Sequence, residues 1–254
     1  MMAALNRFWR LIATAISFAT FGLGGLFIAL VIFPLINLFI RDRIKRAELA
    51  QATVHSIWRF YVSFMVAIGV LTYEVHGAEL LRKDRGTLVI ANHPSLLDIV
   101  FIMSLMEHTQ CVVKSGVWNN PFMRGVVTAA NYIPNTGDPE KLLDDCVAAL
   151  RAGSNLVIFP EGSRTPRGGK RKIQRGFAHI AMRSKAPLRL VTVSCNPPTL
   201  LKGEPWYSIP PRRPHWVIRV HEHIEIEPDS AEPAIAVRRL CARVERRIEE
   251  SLAA

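Results

Sequence analysis

No two of the four cysteines, Cys111, Cys146, Cys195 and Cys241, form a CxxC pair. A cysteine-held metal is therefore not expected, and the four read as buried or free thiols in a reducing compartment. Zinc-finger spacing and an RNP-like aromatic run are missing too, which argues against nucleic acid as the partner. That holds although Lys and Arg outnumber Asp and Glu by 32 to 21, a net charge of +11. The basic balance points instead to an anionic membrane surface or to acidic substrates. No internal repeat stands out. Charge is absent altogether from Leu11 to Ile40.

That uncharged run exceeds the roughly 20 helical residues that span the hydrocarbon of a bilayer. It also exceeds the roughly 7–15 apolar residues of a cleaved signal peptide. A basic cluster, Arg41, Arg43, Lys45 and Arg46, follows it directly. The run therefore reads as a retained membrane anchor. Gly22, Gly24, Gly25 and Pro34 leave two shapes open, one tilted helix or a bent re-entrant pair. Positive charge prefers the cytoplasmic side, so the expected location is the inner (cytoplasmic) membrane with the following domain facing the cytoplasm. A second apolar stretch, Ile57 to Leu71, opens with Trp58, Arg59, Phe60 and Tyr61. It fits either the membrane interface or a helix packed under the domain. Half of the 254 residues are apolar, enough for a sizeable core, and the mean hydropathy is +0.18. The length suits one catalytic domain with an appendage, divided as residues 1–72 for anchoring and 73–254 for catalysis.

Beyond Gly77 short β-forming runs alternate with helical ones. Strands are predicted at Gly86 to Ala91, Gln110 to Val113, Asn155 to Phe159 and Leu188 to Val193, with an edge strand at Trp216 to Ile226. Helices are predicted at Leu96 to Met106, Pro121 to Ala130, Pro139 to Ala152 and Gln174 to Ser184. A closing amphipathic helix from Ala234 to Leu252 carries Val237, Leu240, Val244, Ile248 and Leu252 on one face. The expected fold is α/β: a central, mostly parallel sheet flanked by helices, with hydrophobic membrane helices at the N-terminus.

Two runs carry chemistry. His93 and Asp98 stand five apart at the exit of an apolar strand. They meet if His93 lies in the strand-to-helix turn and Asp98 in the first helical turn. The carboxylate then holds one ring nitrogen while the other takes a proton from a hydroxyl that attacks a thioester directly. The bland alternative is a capping box of Ser95 and Asp98 at the helix start. The second run is Phe159-Pro160-Glu161-Gly162-Ser163-Arg164-Thr165, which follows a buried strand, where ligands of α/β sheets bind. Glu161 can accept hydrogen bonds from a hydroxylated acceptor, and Gly162 lets backbone come close to a ligand. Arg164, Arg167, Lys170, Arg171, Lys172 and Arg175 can hold a phosphate or the anionic arm of a carrier. They can equally form a solvated basic loop drawn to anionic lipid at roughly 1 kcal/mol per basic residue. Lys114 is a further candidate anion contact.

The run from His93 to Asp98 resembles the HX4D box of the glycerolipid acyltransferases, and Phe159 to Thr165 resembles their FPEGTRS box. Lys114 and the apolar segment ahead of the domain also fall where that family has them. The likeness is strongest to the bacterial 1-acylglycerol-3-phosphate acyltransferases and covers residues 70 to 200 in order. It implies acyl-CoA or acyl-carrier-protein as donor, His93 as base, Asp98 as its partner, and Glu161 and Gly162 in acceptor binding. Ser163, Arg164 and Thr165 of the same box, with Lys114 and Asn135, complete the implied substrate contacts. Two departures stand out. Tyr132-Ile133-Pro134-Asn135 carries asparagine where the family's second box ends in arginine, and Asn lacks the charged bidentate fork. Leu190, beside Arg189, stands where the fourth box has proline.

The resulting expectation is a membrane-bound O-acyltransferase without metal or bound cofactor. Its acceptor is a lysophospholipid, foremost 1-acylglycerol-3-phosphate. Asn135 keeps open a different lysolipid or hydroxylated acceptor with acyl-carrier-protein as donor. A rival from another class is a non-catalytic membrane-binding protein on the same fold, against which the intact His93, Asp98 and Glu161 speak.

Overall fold

The computed structural model describes residues 2–253 apart from 167, 170 and 227–231. The apolar run begins as helix α1 (Met2–Phe27), passes through one π-helical segment (Ile28–Ile32) and continues as α2 (Phe33–Phe39). The three glycines do not bend it. The irregularity falls ahead of Pro34, which has no N–H to give to the ladder, and the wider turn accommodates that missing bond. The whole run, Met2–Phe39, is long and apolar enough to cross a membrane, and only 11 % of its most apolar window is buried in the protein. The exposed residues, among them Leu5, Ile12, Ile16, Leu23, Phe27 and Leu30, recur at helical spacing along one stripe.

The chain reverses at Ile40–Asp42. The Asp42 carboxylate accepts from Ile44 N at 2.8 Å and Lys45 N at 3.2 Å, starting α3 (Arg43–Ala67). Helix α3 runs back along α1, with Trp58 stacked on Phe21, Tyr61 Oη donating to Ser17 O, and Trp9 Nε1 donating to Ile68 O. Its other face lies under the domain: Gln51 Nε2 donates to Ala130 O and His55 Nδ1 meets Met103 O. The second apolar stretch thus belongs to a longer helix that packs under the domain. Residues on both sides of the expected boundary at 72 share one core, in which Val54, Val62 and Met65 meet Val89, Phe101 and Trp216.

The remaining elements are β1 (Thr72–His76), α4 (Ala78–Lys83), β2 (Leu88–Ala91), α5 (Asp98–Leu105), β3 (Thr109–Lys114), α6 (Ser115–Trp118), α7 (Pro121–Ala129), β4 (Ile133–Asn135), α8 (Pro139–Arg151), β5 (Asn155–Ile158), α9 (Gly176–Ser184), β6 (Leu188–Asn196), β7 (His215–Ile224) and α10 (Pro233–Ala253). They build a seven-stranded sheet in the order β1-β7-β6-β2-β5-β3-β4. All neighbours are parallel except β6 and β7. Strand β2 is buried at every position because helices cover both faces of the sheet, which is why it reads as a continuous apolar run. A second core lies on the opposite face, where Phe177, Leu240, Val244 and Ile248 of α9 and α10 meet Leu88, Leu156 and Leu190.

The expected edge strand at 216–226 is an interior strand, held between β6 and the unforeseen β1. Strand β1 is largely exposed, and because the adjacent Tyr73 and Glu74 are both exposed its period is hidden. The three-residue β4 was also unforeseen. Its Pro134 is tolerated because β4 is an edge. Leu190, at the position of the absent proline, pairs with Ile90 in mid-sheet, where a proline would cost a ladder bond. Its neighbour Arg189 is buried against Asp84, with Nη2 2.7 Å from Oδ1, and donates from Nη1 to His221 O at 2.8 Å. Gly125 of α7 lies close against the apolar run: a Cβ there would lie 2.6 Å from Ala29 Cβ.

Candidate active site

Strands β2, β5, β3 and β4 are neighbours and parallel, so their C-terminal ends share one edge of the sheet. His93 follows β2, Glu161 follows β5, Lys114 ends β3 and Asn135 ends β4. The topology therefore gathers residues that are 20 to 70 positions apart in sequence.

His93 Nδ1 lies 2.9 Å from Asp98 Oδ2. Asp98 is fully buried, and the same Oδ2 accepts the Ser95 amide at 2.6 Å. Ser95 Oγ in turn accepts from Leu97 N at 3.3 Å. The two readings of the motif are thus one arrangement. Asp98 closes the turn as half of a capping box and holds the imidazole with the same oxygen. Because residues 95–97 are spent on this turn, α5 starts at Asp98 instead of Leu96. Burial pushes the Asp98 carboxyl above its ordinary pKa, opposed by His93, by the Ser95 amide and by the indole of Trp216. Asp98 Oδ1 and Trp216 Nε1 are both buried without a hydrogen bond of good geometry to any other group. They are each other's complement, an acceptor and a donor-only group. No local pattern marks this neighbour, because β7 reaches the site across the sheet.

The imidazole is 16 % exposed and stacks on Phe159 at 4.0 Å between ring centres. With Nδ1 engaged by the carboxylate, Nε2 is the nitrogen left for a substrate. Glu161 Oε1 accepts from His93 N at 3.0 Å, and Oε2 accepts from the Thr165 hydroxyl. Thr165 N donates to His93 O at 3.0 Å. Glu161 and Thr165 thus brace the turn that carries the base, and lone pairs remain on the carboxylate for a ligand. Gly162 has φ +68°, which favours glycine at that place.

Arg164 Nη1 donates to Leu200 O at 2.9 Å and to Leu201 O at 3.2 Å, clipping the acidic turn to the loop after β6. In that loop stands a cation that motif reading missed: Lys202 Nζ lies 3.1 Å from Ser163 Oγ. At the other end of the edge, Lys114 and Asn135 are paired residues of β3 and β4, and both are exposed. Asn135 Oδ1 accepts Gly137 N at 3.2 Å. At about 4.8 Å per strand, Lys114 starts roughly 10 Å from the β2 exit, within the reach of a lysine side chain toward a small headgroup. Arg167 and Lys170 of the basic loop lie outside the described residues.

All four cysteines are free. Burial pushes the thiols of Cys111, Cys146 and Cys195 up to about 12. They are protonated at neutral pH and poor nucleophiles.

Residues 72–196 match a family model described as Acyltransferase. Among curated proteins, the chain is 26 % identical over 125 residues to a chloroplastic 1-acyl-sn-glycerol-3-phosphate acyltransferase of Brassica napus, covering 47 % of this chain and 36 % of that one. It is 25 % identical over 138 residues to the 1-acyl-sn-glycerol-3-phosphate acyltransferase of Pseudomonas aeruginosa, covering 51 % and 52 %. The chain thus spans about half or less of the length of these curated relatives. The crystal structure of the 1-acyl-sn-glycerophosphate (LPA) acyltransferase from Thermotoga maritima superposes with a TM-score of 0.72 at 21 % identity, over 100 % of this chain and 99 % of that one. That likeness establishes the fold. The resemblance drawn from the two boxes is borne out by these comparisons, as is the α/β architecture with an apolar N-terminal helix.

Proposed function

We propose that this protein is a membrane-bound O-acyltransferase that moves an acyl group from a thioester donor to the hydroxyl of a lysophospholipid, foremost 1-acylglycerol-3-phosphate, giving phosphatidic acid. The observation that carries it is the 2.9 Å contact between His93 Nδ1 and the fully buried Asp98. Asp98 fixes the tautomer with the proton on Nδ1, so Nε2 accepts the proton of the acceptor hydroxyl. The hydroxyl oxygen attacks the thioester carbon, an ester bond forms, the C–S bond breaks and the thiolate leaves. The thiolate recovers the proton from the imidazolium, which Asp98 has stabilised meanwhile. General-base assistance of this kind contributes about 10²–10⁴-fold. The same names borne by the relatives support this choice of acceptor.

Membrane attachment is supported by the exposed apolar stripe of α1, and the cluster Arg41 to Arg46 favours a catalytic domain on the cytoplasmic side. Acyl-CoA and acyl-carrier-protein both deliver the thioester this chemistry needs. Lys114 and Lys202 supply positive charge around the edge where the acceptor phosphate would sit, with Glu161, Gly162, Ser163, Thr165 and Asn135 beside it and Arg164 clipping the acidic turn in place. The test is transfer by the detergent-solubilised full chain from labelled acyl-CoA, or from acyl-carrier-protein, to lysophosphatidic acid and to phosphate-free lysolipids. Turnover that survives intact in H93A would overturn the mechanism. Turnover restricted to another acceptor would make Asn135 the mark of that specificity.

A further inference from the structure

The loop between β6 and β7, residues 197–214, touches the candidate active site at one end and the apolar helix at the other. At its start, Leu200 O accepts from Leu96 N at 3.2 Å and from Arg164 Nη1 at 2.9 Å, and Lys202 meets Ser163. Toward its end, Arg7 Nε donates to Ile209 O at 3.1 Å. Arg10, nearly wholly buried, donates to Pro211 O at 3.0 Å and to Arg212 O at 3.1 Å. The two arginines that precede the uncharged run are therefore spent on fastening this loop to α1.

Between these anchor points lie Trp206 and Tyr207, 41 % and 60 % exposed. They meet edge to face at 5.6 Å, and Trp206 leans on Phe18 of α1 at 5.8 Å between ring centres. The loop's aliphatic residues Leu201 and Ile209 are buried, whereas these two adjacent large aromatics are held in the open. Trp and Tyr are amphipathic and concentrate at the headgroup level of bilayers. Phe18 makes the patch continuous with α1, whose apolar stripe is likewise uncovered. Lys202, Arg212 and Arg213, all exposed, flank the aromatics with positive charge that complements anionic lipid.

We propose that the β6–β7 loop is a second membrane-contact element, in which Trp206 and Tyr207 sit in the headgroup region of an anionic phospholipid bilayer. Through the contacts at Leu200 and Lys202 it sets the depth at which the His93 site meets lipid. This rests on the membrane attachment proposed above, and the experiment separates the two. The full chain is mixed with vesicles of phosphatidylglycerol and phosphatidylcholine, and flotation reads attachment. Quenching of tryptophan fluorescence by lipids brominated near the headgroup or deep in the acyl chain reads depth. The protein has five tryptophans, so the signal of Trp206 is the part that disappears in W206F. The expected result is a component lost in W206F that shallow bromines quench several-fold more than deep ones. The W206S/Y207S double variant is expected to float, held by α1, yet to transfer acyl groups to a bilayer-borne acceptor roughly tenfold more slowly, with its rate on a short-chain dispersed acceptor unchanged. A protein that floats with identical quenching in wild type and W206F overturns the loop's role. A protein that does not float overturns the membrane attachment itself.

Discussion

Arg164 Nη1 stands 2.9 Å from the carbonyl oxygen of Leu200. The guanidinium that follows the acidic turn is therefore a clip between two loops before any ligand arrives. Hydrogen bonds from a charged donor contribute about 1.5–3 kcal/mol. R164A is expected to lower the melting temperature and to raise KM for lysophosphatidic acid and for a phosphate-free lysolipid alike. A rise confined to the phosphate-bearing acceptor in a substrate panel would show that Arg164 acts on phosphate directly.

His93 and Asp98 are told apart by stability and not by activity. H93A is expected to lose at least 10²-fold in kcat while floating with vesicles as the wild type does. D98N should lose activity comparably, yet it should not lose stability at neutral pH. The sign follows from the buried carboxyl, whose folded pKa lies above its unfolded one. Such a group favours the folded state when protonated, and that contribution is lost as pH rises through the folded pKa. The wild type should thus lose stability as pH rises through that point, and D98N should lack this slope. Denaturant unfolding across the acid to neutral range reads it.

Trp216 lowers the Asp98 pKa, in opposition to burial. Replacing the indole by a ring without N–H lets the carboxyl pKa rise further. W216F is expected to shift the acidic limb of the kcat/KM profile to higher pH. A merely structural role would change stability and leave the limb in place.

Lys202 and Asn135 bracket the edge of the sheet on which an acceptor phosphate would lie. K202A is expected to raise KM for lysophosphatidic acid about tenfold, more than for a phosphate-free acceptor, the size of one exposed charge contact in a substrate site. N135R should improve use of lysophosphatidic acid, because it places an arginine next to Lys114 in the β3–β4 register. Unchanged or poorer binding by N135R would mean that phosphate is held elsewhere.

Thiol reagents are expected to leave turnover unchanged at neutral pH, since Cys111, Cys146 and Cys195 are held protonated by burial. Rapid stoichiometric inactivation by iodoacetamide would contradict this.

The strands β2, β5 and β6 were legible because a strand covered on both faces reads as a run of apolar β-formers, as Leu88 to Ala91 does throughout and Leu188 to Val193 does apart from Arg189 and Thr192. Strand β1 was not, because Tyr73 and Glu74 are both exposed and its pairing to β7 joins residues some 140 apart. The base and its partner were legible because they share one local turn. Trp216, Lys202 and the clip at Arg164 were not, since each reaches the site from a separate segment and carries no local pattern. The apolar run, for which one tilted helix or a bent pair was open, is one continuous helical stretch; its irregularity is the π-helical segment ahead of Pro34, while Gly22, Gly24 and Gly25 stay helical.

At Gly125 the catalytic domain and the apolar run approach so closely that a methyl group would strike Ala29. With Gln51, His55 and Tyr61 fixing the returning helix as well, there is no slack joint between the two. The apolar run is a rib of the folded body and not a tether on which it swings. In the proposed membrane-bound state, whatever tilt that rib adopts in lipid the sheet edge bearing His93 would inherit, and bilayer thickness would then act on acyl transfer as a change of angle.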